Sequence, residues 1–185
     1  MFTKYIGIDM STSSPGVCVL NKDGDLLRTW TSKKRLKVLH SSDICYYDTL
    51  ADSVCLALGI KRPMNTMILI EDYAPAARGQ TNKIAECTGI LKYKLLFDQK
   101  VPAENIKLCS IQHLKMFAVG KGNCKKELVI KEVYKKWGFD TNSNDIADAF
   151  VLAKMAFSIY SGIALQGKHL DVCNRVLEYN KKHTI

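Results

Sequence analysis

Four carboxylates stand where apolar segments meet loops. Asp9 ends an apolar run at the start of the chain, Glu71 ends another in the middle, and Asp145 and Asp148 open a long apolar segment near the end. Three separate segments thus supply one small acidic set, while the chain as a whole is cationic. It carries 27 Lys and Arg against 18 Asp and Glu, a formal charge of +9 over 185 residues. Acids on a basic body suggest divalent cations held against a polyanion, because a cationic surface attracts phosphates and gains from counterion release. For a phosphodiester the chemistry is defined. Four carboxylates can hold two Mg²⁺ ions about 3.5–4 Å apart, one activating water and the other stabilising the leaving 3′-oxygen. Mn²⁺ suits the same all-oxygen ligands. The pattern points to a nuclease.

Each acid also has an ordinary explanation. Asp9 follows Ile6-Gly7-Ile8, and strand alternation places it on the face opposite Ile8. There it is either a ligand or the cap of the following turn. Glu71 and its neighbour Asp72 fall on opposite strand faces, so only one reaches a shared site, and Glu71 is assigned to it. Asp145 and Asp148 are three apart and neighbours on one helix face. With Ser143 or Asn144 as cap, Asp145 sits in the first turn, where negative charge is favourable with or without metal. Asp148 is harder to dismiss, being flanked by Ile146, Ala147, Ala149 and Phe150. A buried, unpaired carboxylate there is a liability that a cation removes.

The elements that must position these acids follow from periodicity. Lys4–Asp9, Gly16–Asn21 and Leu26–Thr31 read as three strands of a meander, with Asp23-Gly24 as a turn. A basic connector spans Lys33–Lys37. A helix over 43–59 ends at Gly59, and Thr66–Glu71 is a buried strand. After a loop with Pro75 and Gly79 come a helix near Thr81–Asp98, a strand at Ile106–Cys109 and a short helix at Ile111–Phe117. The basic glycine-bearing loop VGKGNCKK leads to a helix at Glu127–Trp137. Asn144–Tyr160 is a mostly apolar, buried helix, and an amphipathic helix covers about His169–Lys181. The expected fold is α/β, a mixed central sheet of about five strands, the first three antiparallel, flanked by helices. Residues 1–162 form the nuclease domain and 163–185 a C-terminal helical extension, whose Leu170, Val172, Val176 and Leu177 could meet the core or a dimer partner.

Composition excludes other classes. Seven cysteines at irregular spacings, with no CxxC pair and no histidine at ligand spacing, read as reduced core residues rather than a zinc site or disulfide framework. No secretory leader is evident in MFTKYIGIDM, and no run approaches the roughly 20 apolar residues of a membrane span. The expected setting is cytoplasmic.

The ordered motifs resemble the RuvC family of Holliday junction resolvases, within the RNase H-like superfamily. IGIDMSTSSPGVCVL is similar to the family's strand, catalytic Asp, small-residue turn and glycine. ILIEDYAPAARGQTNKIAECTGIL resembles its Glu-ended strand, loop and glycine-bearing helix. SIQHLKMFAVGKGNCKKELV is similar to the basic segment of phage and bacterial members, and SNDIADAFVLAKMA to the closing Asp pair. The resemblance spans about residues 4–157. It implies an RNase H-like fold, Asp9, Glu71, Asp145 and Asp148 as catalytic metal ligands, and two Mg²⁺ ions per site. It also implies a homodimer making paired nicks in four-way DNA junctions. Lys115, Lys121, Lys125 and Lys126 are expected to contact DNA phosphates, with Tyr73, Arg78 and Lys83 beside the second motif. Met10-Ser11 stand where many members have Pro-Gly, and the loop after Glu71 offers only Tyr73 as an aromatic; both departures suit a phage-type branch, acting in a bacterial host's cytoplasm. The alternatives are an RNase H-like RNA-processing nuclease and a non-catalytic junction-binding protein.

Overall fold

A computed structural model describes residues 1–32, 42–72, 81–163 and 167–182. Three strands, β1 (Lys4–Asp9), β2 (Gly16–Asn21) and β3 (Leu26–Thr31), form the antiparallel meander. The β2–β3 turn is closed by the Asn21 side chain, which accepts from the backbone N–H groups of Asp23 and Asp25. Helix α1 (Asp43–Leu58) then leads to β4 (Thr66–Asp72), parallel to β1, and α2 (Thr81–Phe97) to β5 (Ile106–Ser110), parallel to β4. The sheet order is β3-β2-β1-β4-β5. Four helices complete the chain: α3 (Ile111–Val119), α4 (Lys126–Trp137), α5 (Asn144–Tyr160) and α6 (Gly167–Lys182). Two short 3₁₀ turns, Pro63–Asn65 and Ala103–Asn105, feed β4 and β5 and carry no periodic sequence signal. The connector Lys33–Lys37 and the loop bearing Pro75 and Gly79 lie outside the described residues.

Strand alternation divides the core into two layers. Ile6, Ile8, Val17, Val19, Ile68, Ile70 and Leu108 face α1 and α2, meeting Leu50, Val54 and Leu91. Tyr5, Cys18, Leu20, Met67, Leu69 and Cys109 face the other way, onto α3, α4, α5 and α6. Asp9 and Glu71 are in phase with this second set. Both therefore project toward α5.

Helix α5 lies unusually close to the sheet. A Cβ on Gly7 would stand 2.0 Å from the Ala149 carbonyl oxygen and 2.5 Å from the Ala153 nitrogen. One on Gly16 would stand 2.0 Å from the Asp145 carbonyl oxygen. These two glycines let the helix backbone rest directly on β1 and β2, with Gly16 opposite Asp9 in the β1–β2 register. The N-terminus of α5 is fixed by Ser143, whose hydroxyl accepts from the Ile146 N–H. Among the described residues all seven cysteines are free thiols, and no helix is long and apolar enough to cross a membrane.

Gly7→Ala therefore forces α5 off the sheet. It should destabilise the protein by at least the about 1–3 kcal/mol typical of overpacking, read as a lower melting temperature in thermal denaturation.

Candidate metal centre

The β1–β4 ladder runs through Ile8 opposite Ile70, so the next residues, Asp9 and Glu71, emerge side by side at the carboxyl ends of two parallel strands. Asp148, one turn into α5, comes down on the same face. One carboxylate oxygen from each of Asp9, Glu71 and Asp148 lies within 4.8 Å of the others. Asp9 is 8% exposed and Asp148 3%, and Glu71 is half-buried.

Three acids this close and this dry resist ionisation. Burial, then the charges of Asp148 and Asp145, push the Asp9 carboxyl up to about 8, with Lys126 opposing. Burial and the neighbouring Asp9 and Asp148 hold Glu71 well above the usual carboxylate range, against Lys126 and Lys115. Asp148 rises to about 6, chiefly through burial, although Lys126 and Lys115 act to lower it. For Asp9 the shift corresponds to a penalty on the charged form on the order of a few kcal/mol. A divalent cation removes that penalty by neutralising the cluster. The residues fit such an ion: the donors are all oxygens, as hard cations prefer, and Glu71 Oε2 is buried without a hydrogen-bond partner among the described residues.

Asp145 stands outside this group of three. In the first turn of α5, its carboxylate accepts a 2.7 Å hydrogen bond from the Ser14 hydroxyl, while the Ser14 N–H donates to Ser11 Oγ at 2.9 Å. The small-residue turn after β1 is thus tied to the start of α5. Asp145 still acts on the site by charge, raising both Asp9 and Asp148. Asp72 turns to the opposite face of β4, where the Tyr179 hydroxyl donates to it.

The four basic-segment lysines divide. Lys115 and Lys126 exert their fields on the acids. Lys115 also donates to the Cys124 carbonyl at 2.9 Å, holding the loop before α4. Lys121 and Lys125 instead line an open groove of about 520 Å³ together with Asn123, Glu127 and Lys131. Lys131 and Ser14 escaped sequence reading. The spacing of Lys131 four residues after Glu127, on one face of α4, was the available signal. Lys83 is exposed and pairs with Asp43 of α1 at 2.8 Å, on the sheet face away from the acids. Tyr73 and Arg78 lie outside the described residues.

A mixed five-stranded sheet with acids converging from its two central parallel strands and a crossing helix is an RNase H-like architecture. Within that architecture the fold matches Thermus thermophilus RuvC, with a TM-score of 0.61 at 18% identity, covering 86% of this chain and 96% of that one. The structure of T. thermophilus RuvC in complex with Holliday junction substrate matches over the same shares at 18% identity, with a TM-score of 0.65. Comparisons with protein-family models and with curated protein sequences find no match.

Because folding raises these carboxyl pKa values, the native protein binds protons more tightly than the unfolded chain. The site costs nothing below the ordinary Asp value of 3.8, and stability is lost as pH rises through about 6 for Asp148 and about 8 for Asp9. In metal-free protein at pH 8, Asp9→Asn should therefore raise the melting temperature, and the gain should shrink toward pH 5. Mn²⁺ should raise the wild-type melting temperature more at pH 8 than at pH 6. A pH series of thermal melts, with and without Mn²⁺, checks both.

Proposed function

We propose that this chain is a RuvC-like junction-resolving endonuclease of the phage-type branch, cutting phosphodiester bonds in four-way and other branched DNA with Mg²⁺ or Mn²⁺. The observation that carries this reading is the carboxylate trio Asp9, Glu71 and Asp148, faced by Lys126 and Lys115, in a fold shared with RuvC. Asp9, Glu71 and Asp148 would hold the first ion, and Asp145 would complete a two-ion site from the first turn of α5. Bound there, the ions would supply Lewis-acid stabilisation of charge on the phosphodiester oxygens.

The chain's own residues do the rest. Lys126 and Lys115 keep a positive field over the acids, favouring approach of a phosphate to a cluster that would otherwise repel it. Lys121, Lys125 and Lys131 extend that field along the groove beside α4 and would track the DNA backbone. Phosphate contacts would supply affinity, and junction shape selectivity. Paired nicking needs two copies of the site. The homodimer reading is supported by an apolar recess of about 570 Å³ between α1 and α2, on the sheet face away from the acids. It is lined by Ile44, Ile90 and Tyr93, and Phe97 is exposed beside Tyr93. The setting would be the cytoplasm of a bacterial host. A purely binding role is disfavoured by the acids themselves, which in a junction binder would repel phosphate to no purpose.

The test is nicking of a synthetic four-way junction in Mg²⁺, with flap, duplex and structured RNA as competitors. Wild type should make paired, symmetric nicks in the junction. Asp9→Asn and Asp148→Asn should lower the rate by at least roughly 10²–10³-fold, the scale of losing one group that stabilises transition-state charge, while binding the junction as tightly as wild type. Preferential cutting of the RNA would replace this reading with an RNA-processing one.

A further inference from the structure

Helix α6 meets the sheet in an unusual way. β5 is an edge strand, and its outer edge should present unpaired backbone groups. At Leu108 it does not. The Leu108 N–H donates to Asn180 Oδ1 at 2.7 Å, and Asn180 Nδ2 donates back to the Leu108 carbonyl at 2.7 Å. One side-chain amide thus makes the pair of bonds that a further strand would make. Asn180 Nδ2 also donates to the Val176 carbonyl one turn earlier, which fixes its rotamer. The preceding residue, Tyr179, donates its hydroxyl to the Asp72 carboxylate. Val172, Cys173 and Val176 on the same helix are buried against the α5-side core, so both contacts come from a seated element.

These contacts converge on Glu71. The β4–β1 ladder stops at Ile70, whereas the β4–β5 ladder continues through Glu71 opposite Cys109 and Asp72 opposite Ser110. The end of β4 that carries Glu71 is therefore held by β5 and by whatever holds Asp72. Asn180 secures β5 one residue before Cys109, and Tyr179 secures Asp72. With Asp72 anchored on one face of the strand, alternation obliges Glu71 to project from the other, toward Asp9 and Asp148.

We infer that Tyr179 and Asn180 form a clamp through which the C-terminal helix positions Glu71 as a metal ligand, making α6 a working part of the site. The inference rests on the metal-centre reading above. Groups that orient a ligand without touching the metal typically alter affinity by about 10–100-fold when removed.

The experiment compares wild type, Tyr179→Phe, Asn180→Ala, Asp72→Asn and the Tyr179→Phe/Asp72→Asn double variant, with exposed Glu178→Ala as control. Mn²⁺ affinity is measured by titration calorimetry, amide hydrogen exchange at Glu71 and Asp72 in metal-free protein, and melting temperature alongside. Tyr179→Phe and Asn180→Ala should each weaken Mn²⁺ binding about 10-fold and speed exchange at the two amides. The double variant should be no weaker than Tyr179→Phe alone, and Glu178→Ala should match wild type. Wild-type Mn²⁺ affinity and wild-type exchange in both α6 variants would overturn the clamp and leave the metal centre standing, even if their melting temperatures fall. Failure of wild type itself to bind Mn²⁺ would overturn the metal-centre reading and, with it, the inferred role of the clamp.

Discussion

The repulsion among Asp9, Glu71 and Asp148 is the constraint around which this structure is arranged. Three carboxylates withdrawn from water and set within 4.8 Å of one another oppose folding whenever they are charged. The fold holds them there because each is the continuation of something well fastened. Asp9 and Glu71 follow the buried runs Tyr5–Ile8 and Thr66–Ile70 of two central strands, and Asp148 sits in a helix whose apolar faces are nearly all enclosed. Stability generated by the two core layers offsets a local cost concentrated at one edge of the sheet. A divalent cation bound there would relieve that cost.

Helix α5 is the element that brings the constraint about. The bare backbone of Gly7 and Gly16 lets it approach β1 and β2 closely enough for its second acid to reach the strand acids. Its first acid lies outside the trio and accepts a hydrogen bond from the Ser14 hydroxyl. The two acids of one motif therefore have different surroundings: Asp148 is buried and shares the trio, and Asp145 is hydrogen-bonded at the rim. The lysines are graded in a similar way, with Lys126 and Lys115 acting on the acids and Lys121, Lys125 and Lys131 set along the groove beside them.

Much of this is legible in the amino-acid sequence, for definite reasons. The strands and most helices announce themselves through alternation, through glycines at helix ends and through the Asp-Gly turn. Asp148 stands out because a carboxylate amid Ile146, Ala147, Ala149 and Phe150 is costly to bury unpaired. Strand parity implies that one of Glu71 and Asp72 reaches the site without saying which, and the two side chains do project to opposite faces. What cannot be read is whatever depends on sheet order and loop path. The difference between Lys115 and Lys121 arises from how the loop before α4 folds back. The use of Asn180 as a strand surrogate requires knowing that β5 is an edge. The tail's apolar spacing implies a helix, and Val172 and Val176 are buried as that spacing suggests, while Leu170 and Leu177 remain 40% and 37% exposed. Nothing in the spacing of Tyr179 marks it as a partner of Asp72.

If Asp9, Glu71 and Asp148 hold a cation, anomalous diffraction from crystals soaked in Mn²⁺ should show a strong peak about 2.1 Å, an ordinary hard-cation distance, from carboxylate oxygens of all three. Saturating Mn²⁺ that leaves those three carboxylates bare, with its strongest peak elsewhere on the protein, would contradict a cation site there.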